Sequence, residues 1–518
     1  MTGNGRLDRL LAHRATPHIV LILLTFLVYA GTFFNAWSYD DLPVIVNNPD
    51  VRSLADFFRN SYPGRPLREL SFLADHAVFG FVPAGWHLQQ LGWHALNGML
   101  LFALARRLGT GRAAAWFAAL VFLLHPVQVE VVASLSHRKD LLALAFGLLA
   151  LHAWLRLADC AADLRWRWFL GAWLLAGIAF LGKETAVILP GLFLLLEILA
   201  FPRERRVLLA HPGRLAIIAA GLALAGGAWF HKAGGLDRYR SAAETLLVKM
   251  NLIPPFDLTA YWQMVLASWG FVWQRIVWPR NLAVEYVYPP PAGWLAPEVL
   301  TVLLLAAGSL GLGGWLVRRR EQVALFGLLW FWLAWMVTGN LLWPLAYLSA
   351  DRYLYFPLAG LALMCAVAAE RLLPGGRALR GAVVGGLAAV LAVLTWQQCL
   401  VWRSEESLWR NALRVSPQSY AALNSVGKIH ADRQDWAGAL DHYRRAAAVN
   451  SSAPLPRYNL GLTYHRLGDR RMADFFFREF LARAAISDNP ADQALARKVR
   501  KFLAENYAAT PATRPEGR

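Results

Sequence analysis

Residues 18–36 are almost all apolar, and stretches of the same character recur along the chain, at 88–105, 113–124, 140–157, 168–181, 185–201, 215–231, 298–317, 322–338, 353–370 and 381–400. A run of about 20 apolar residues has the length of a helix that crosses a bilayer. Inside lipid a helix satisfies its own backbone N–H and C=O groups, and the chain reads as a polytopic α-helical membrane protein of about eleven spans. Composition agrees: 57% of residues are hydrophobic and 17% charged, too apolar for an ordinary soluble domain.

The net charge of +18 is not a nucleic-acid signature, because the basic residues fall mostly in short loops between apolar runs. Such loops orient helices, with Lys and Arg on the cytoplasmic side. Arg6, Arg9 and Arg14 place the N-terminus in the cytoplasm, and the first run reads as a retained anchor without a cleavage site. Arg106-Arg107, Arg156 to Arg167, Arg203 to Arg214, Arg318-Arg319-Arg320 and Arg371 to Arg380 then mark cytoplasmic loops. Residues 259–278 would disturb this alternation as a further span. They carry Gln263, Gln274 and Arg275 and read as a surface or partly inserted helix. The C-terminus is then external, as is the 37–86 loop, in which Ser53-Leu54-Ala55-Asp56 is a helix-capping signal ahead of a short surface helix. Cys160, Cys365 and Cys399 form neither a disulfide framework nor a metal motif.

From Trp402 onward the pattern becomes charged, Ala-rich and helical. Gly427 and Gly461 stand 34 residues apart, the tetratricopeptide period. His430, Ala439, Tyr443 and Ala446 are answered by Tyr464, Ala473, Phe477 and Phe480. Trp409, Ala412 and Pro417 fit a preceding half-repeat, and 489–505 a capping helix. The division expected is therefore 1–402 membrane domain, 403–507 α-solenoid of repeats, and 508–518 disordered tail.

Polar residues within this apolar framework are costly unless solvated, paired or chemically employed. Asp40 and Asp41 lie where the first span leaves the lipid. They read either as solvated acids or as a general base with a partner that orients an acceptor or holds a divalent cation. A carboxylate within hydrogen-bond reach can take the proton of an attacking hydroxyl. Arg65 can pair with them, grip phosphate, or snorkel. His87, Gln90, His94 and Asn97 make one stripe on the second span, which must point inward; hydrogen bonding between helices and ligand binding both fit. Glu130 follows a helix break at His125-Pro126. His137, Arg138 and Lys139 can bind an anionic headgroup or form a charged turn. Lys183 lies in a tight turn or faces a phosphate. Glu285 lies in an extended external segment. Asp351 and Arg352 read as a local pair, or Arg352 as a phosphate ligand.

In order and spacing these stretches resemble the transmembrane O-mannosyltransferases that carry tetratricopeptide repeats, members of the GT-C class of glycosyltransferases. The resemblance spans roughly 37–505. It rests on Asp40-Asp41 with Val46-Asn47-Asn48-Pro49-Asp50-Val51, Arg65-Pro66-Leu67, His87 with His94-Ala95-Leu96-Asn97, and His125-Pro126 with Glu130. It continues through Arg138-Lys139-Asp140, Lys183-Glu184, Asp351-Arg352-Tyr353 and Trp402-Arg403-Ser404-Glu405-Glu406. The resemblance implies an inverting transferase that uses a polyprenyl-phosphate sugar on the extracytoplasmic face, with Asp40 and Asp41 as the catalytic acids. Arg138, Lys183, Arg352 and His137 are the expected donor-phosphate ligands. Arg65, His87, His94, Glu130 and Glu285 are expected around the cavity and acceptor.

The expected partners are membrane lipid, the lipid-linked sugar, and a protein acceptor or partner met through the repeats. Gly64 stands where the family often has Tyr, and the repeat array is shorter than usual. Arg outnumbers Lys 45 to 7, which with the short array suggests a bacterial inner-membrane protein and an undecaprenyl-type donor. Two other classes remain: a transporter of lipid-linked sugar, which predicts internal repeats among the spans that are not seen, and a scaffold that recruits partners through its repeats. Neither accounts for acids and bases gathered in external loops.

Overall fold

The computed structural model describes residues 15–60, 65–201, 204, 206–209, 213, 215, 216, 219, 223, 227, 235–250, 258–372, 377–485, 487 and 490–507. Gly64, most of the span expected over 215–231, and the tail 508–518 lie outside them. Two compact units are present. The first comprises 1–240, 262–282 and 291–405; the second comprises 241–261, 283–290 and 406–518.

The described residues of the first unit are helical wherever regular, as the apolar runs require. Five helices are long and apolar enough to cross a membrane: Leu135–Asp159, Ala162–Gly182, Pro297–Arg319, Asp351–Arg371 and Gly381–Val401. Arg112–Leu124 and Pro126–Ala133 reach that length and apolar character only together, bent by 50°, the geometry of a broken span or a re-entrant loop. The bend falls at Pro126, which has no amide hydrogen to continue the helix. Thr16–Val28 and Gln322–Thr338 are apolar but shorter. Pro83–Arg107 has 25 residues, and its polar stripe lowers its hydropathy. The run expected as a span over 185–201 is instead a 3-10 turn, Glu184–Ile188, and an 11-residue helix, Leu189–Leu199. At about 1.5 Å per residue that helix is far shorter than a hydrocarbon core of about 30 Å. Residues 259–278 do form a continuous helix, Leu258–Val277.

Leu135–Asp159 and Asp351–Arg371 are inner helices, 72% buried, whereas Ala162–Gly182, Pro297–Arg319 and Gly381–Val401 bury only 17%. Exposed apolar helices of this kind face lipid, not water. Gln322–Thr338 and Tyr355–Leu372 cross with their backbones in contact. A Cβ on Gly360 would lie 2.7 Å from the Gly327 carbonyl oxygen, and one on Gly327 would strike that of Gly360. Small residues at a crossing allow this approach. It seats the turn Asp351–Leu354 against the bundle.

In the second unit six helices run Glu405–Val415, Tyr420–Asp432, Trp436–Val449, Leu455–Arg466, Arg470–Ala484 and Pro490–Asn506. The 34-residue period is visible in atoms. A Cβ on Gly427 would meet the Tyr443 ring at 2.7 Å, and one on Gly461 would meet the Phe477 ring at 2.7 Å. Each repeat turns through a left-handed residue, Gln434 or Gly468, and each second helix is capped by an aspartate, Asp435 or Asp469. Trp409, Tyr443 and Phe477 are buried. The last helix covers the stack with Ala496, Val499, Leu503 and Tyr507.

Candidate functional site

The polar residues of the first unit gather around the turn that carries Asp40 and Asp41. The turn enters through Tyr39, whose φ of 53° is unusual for a bulky residue and marks backbone strain of the kind kept at functional sites. Tyr39 is held by a hydroxyl–hydroxyl bond of 2.8 Å to Tyr347, and the Arg352 guanidinium stacks over the Tyr347 ring at 4.8 Å. The strained turn is thus coupled to a residue more than 300 positions away.

The two acids are unlike. Asp40 is half-buried. Asp41 is 1% exposed. Its Oδ1 accepts from the Ser136 backbone N–H at 2.8 Å and from Ser134 Oγ at 3.5 Å. Burial raises the Asp41 carboxyl to about 7, and the neighbouring Asp40 charge pushes the same way. The hydrogen bonds from Ser136, Ser38 and Ser134 offset only part of this. Through Ser136 the acid pair is tied to the segment that carries His137, Arg138 and Lys139.

Around this contact five cations are matched with carboxylates, all but the adjacent pair Arg68–Glu69 joining distant parts of the chain. Arg138, fully buried, pairs with Asp75 and donates to Gln90 Oε1 at 2.9 Å, Gln89 Oε1 at 2.8 Å and the Trp86 carbonyl at 3.0 Å. Arg352 pairs with Glu130, which also accepts the Arg352 backbone N–H at 2.8 Å. Lys183 pairs with Asp140. Arg65 holds Glu184 through both nitrogens, at 2.5 and 3.0 Å. Arg68 pairs with Glu69 at 2.6 Å, and Glu69 accepts from Asn48 Nδ2 at 3.0 Å. Burial raises the Glu69 carboxyl despite the opposing Arg68 charge. Charges this deep need such partners.

Asp351 and Arg352 do not form the local pair read from their adjacency. Asp351 pairs with Arg275 at 3.1 Å, while Arg352 turns to Glu130. The second-span stripe bonds between helices. His94 contacts the Tyr355 hydroxyl at 2.9 Å and the Leu123 carbonyl at 3.1 Å, and Asn97 donates to the Leu141 carbonyl at 3.0 Å. His87 is buried, and its Nδ1 has no hydrogen-bond partner. Glu285 belongs to the second unit, where it accepts from Ser419 Oγ at 2.5 Å.

Three partners escaped the sequence reading: Asp75, Glu69 and Arg68. A signal for two of them exists. Arg68, Phe72, Asp75 and Phe79 fall at i, i+4, i+7 and i+11 of the helix Pro66–Phe79, one face in which a cation and an acid alternate with aromatics. Arg138 lies over the Phe72 ring at 5.1 Å and the Trp86 ring at 5.8 Å. Among the described residues no group of three or more His, Cys, Asp or Glu is arranged to hold a metal. Asp41, offered by the sequence for a cation, already spends Oδ1 on Ser136.

Comparison with known proteins bears out the resemblance read from the motifs. Residues 74–229 match the family described as dolichyl-phosphate-mannose-protein mannosyltransferase, and residues 427–468 match the tetratricopeptide repeat. The chain is 24% identical over 505 residues to protein O-mannosyl-transferase TMTC4 of Mus musculus, covering 82% of this chain and 65% of that protein. It is 25% identical over 508 residues to TMTC4 of Homo sapiens, covering 84% and 67%. It is 33% identical over 179 residues to Tmtc1 of Drosophila melanogaster, covering 32% and 20%. The chain thus spans about two thirds or less of the length of these relatives. No solved structure matches it.

Proposed function

We propose that this multi-pass membrane protein is an inverting glycosyltransferase that moves a sugar, mannose by its relatives' names, from a polyprenyl phosphate to a hydroxyl of a protein acceptor. The observation that carries this reading is the bond from Ser136 N–H to Asp41 Oδ1, which joins the acid pair to the basic segment. Transfer to a hydroxyl needs both: a base at the attacking oxygen and positive charge at the departing phosphate.

Asp40, the less enclosed acid, takes the acceptor proton. The acceptor oxygen attacks the anomeric carbon as the bond to the phosphate oxygen breaks, and the lipid phosphate leaves with that electron pair. One displacement inverts the anomeric centre. Asp41, fixed by Ser136, orients the acceptor or the turn that carries Asp40. Lys183, Arg352 and His137 form the donor-phosphate set. Arg138, with its guanidinium fixed by four groups, contributes its field. Arg65, His87, His94 and Glu130 border the cavity or hold its walls, whereas Glu285 has no part in it, being bonded to Ser419 within the second unit. The face is extracytoplasmic, the membrane that of a bacterium, and the repeats present or orient the acceptor.

The experiment is transfer by the purified protein from a synthetic polyprenyl-phosphate mannose to a native acceptor. Product with the opposite anomeric configuration is expected. Retention of configuration, or no transfer from any polyprenyl-phosphate sugar, would overturn the reading.

A further inference from the structure

We infer that Lys139 is the group that binds the phosphate of the lipid-linked ligand, a diester in the donor and a monoester once the sugar has left, an assignment that rests on the transferase reading above and goes beyond its ligand set. Arg65, Arg68, Arg138, Lys183 and Arg352 each hold a carboxylate: Glu184, Glu69, Asp75, Asp140 and Glu130. A cation in such a pair can still donate a hydrogen bond to a phosphate, as Lys183 and Arg352 do in the reading above, but its carboxylate offsets much of the charge it offers. Among the described residues Lys139 stands in the same cluster without an ion pair. Its neighbour Asp140 gives Oδ1 to Lys183, and Asp140 Oδ2 receives no hydrogen bond from Lys139 or any other group. Lys139 is half-buried, so its ammonium is partly withdrawn from water, which strengthens its pull on an anion.

A second observation points to the same place. His137, two residues earlier, is 1% exposed, and neither ring nitrogen has a hydrogen-bond partner. Glu130 Oε1 lies 3.7 Å from Nε2, beyond hydrogen-bond reach. Buried polar groups left this way call for an explanation, such as a ligand. Lys139, Lys183, Arg352 and Arg68 all act electrostatically on His137, so these groups share one locality. A lysine without an ion pair beside a buried donor without an acceptor is the chemistry of a phosphate site. The departing polyprenyl phosphate is a monoester with a charge of about −1.5 to −2 and strong acceptor oxygens, more than the single negative charge of the donor's diester. Lys139 supplies the positive charge, His137 an N–H, and the surrounding ion pairs keep competing carboxylates occupied.

The test uses the purified full chain with three probes: undecaprenyl monophosphate, undecaprenol and inorganic phosphate. Wild type binds the phosphorylated lipid more tightly than the alcohol. Lys139→Gln weakens binding of undecaprenyl phosphate by roughly ten- to a hundredfold, the scale of a lost charged hydrogen bond, with undecaprenol affinity unchanged. That unchanged affinity also reports that the variant is folded. Lys139→Arg recovers most of the loss. Wild-type affinity of Lys139→Gln for undecaprenyl phosphate, with wild type still preferring it over undecaprenol, overturns the assignment and leaves the transferase reading standing. Lys139-dependent binding of inorganic phosphate without preference for the lipid keeps the anion site and overturns the lipid donor. Equal wild-type binding of all three probes overturns both.

Discussion

The two units employ charge in opposite ways. In the repeat unit several ion pairs join neighbours on one helix and keep their arginine at the surface: Arg410 with Glu406, Arg445 with Asp441 and Arg478 with Asp474, each four residues apart. Its interior is a stack of aromatic rings against glycines. In the membrane unit the pairs made by Arg138, Arg352 and Lys183 are interior and distant in sequence. Arg138 meets Asp75, Arg352 meets Glu130 and Lys183 meets Asp140. A surface pair trades hydration for a screened attraction and gains little. A buried pair is weak evidence for stability, since apolar residues would pack at no greater cost, but it is expensive to break. Its presence at such depth therefore points to a role for charge rather than to stability.

The largest effect on stability should come from breaking an interior pair. Asp75→Ala leaves Arg138 buried and uncompensated, at a cost of about 3–5 kcal/mol. Thermal unfolding of the purified protein should show a large fall in the transition temperature; an unchanged transition would mean that Arg138 finds water. A smaller loss should follow from filling the repeat interface. Gly461→Ala sets a Cβ at 2.7 Å from the Phe477 ring, and overpacking of this kind costs about 1–3 kcal/mol. The readout is protease cleavage within 420–505, which should appear at lower denaturant concentration than in wild type. The smallest effect belongs to the repeat surface. Glu406→Gln, which removes the acid shared by Arg410 and Arg433, should leave unfolding unmoved, and a clear loss would blur the contrast between the units.

A pH experiment sharpens the contrast from another side. Burial raises the Asp41 carboxyl from 3.8 to about 7. Between these values the folded chain keeps a proton at Asp41 that the unfolded chain has released. The unfolded state then binds fewer protons, so stability falls as pH rises through this window and levels above it. Unfolding transitions of wild type and Asp41→Asn between pH 4 and 7 should diverge in slope, the variant lacking this contribution. Parallel slopes would mean that Asp41 titrates as an exposed acid.

The same difference explains what the sequence made legible. The repeats are local: Gly427 meets Tyr443 and Gly461 meets Phe477 at one fixed offset, so period and burial could be read together. The long apolar helices were legible for the same reason, since length and hydropathy belong to one segment. The Leu189–Leu199 helix was overcounted because a run of apolar residues does not reveal the 3-10 turn at Glu184–Ile188 that uses up its first residues. The site residues were legible as types, but their partners were not. Asp351 stands beside Arg352 and yet pairs with Arg275, because side-chain direction at a helix start is set by tertiary packing, not adjacency. The buried stripe Arg68, Asp75 was readable in period, but nothing local says that Asp75 faces Arg138.

In the proposed mechanism Asp40 takes the acceptor proton while Asp41 is held by Ser136. Transfer from a synthetic polyprenyl-phosphate sugar, with donor affinity measured in parallel, compares wild type, Asp40→Asn and Asp41→Asn directly. Asn preserves size and hydrogen bonding but cannot accept the proton. Asp40→Asn should lose turnover by roughly 10²–10⁴-fold with donor affinity kept within a few-fold. Wild-type turnover in Asp40→Asn, with the loss falling instead on Asp41→Asn, would contradict the account and move the base to the buried acid.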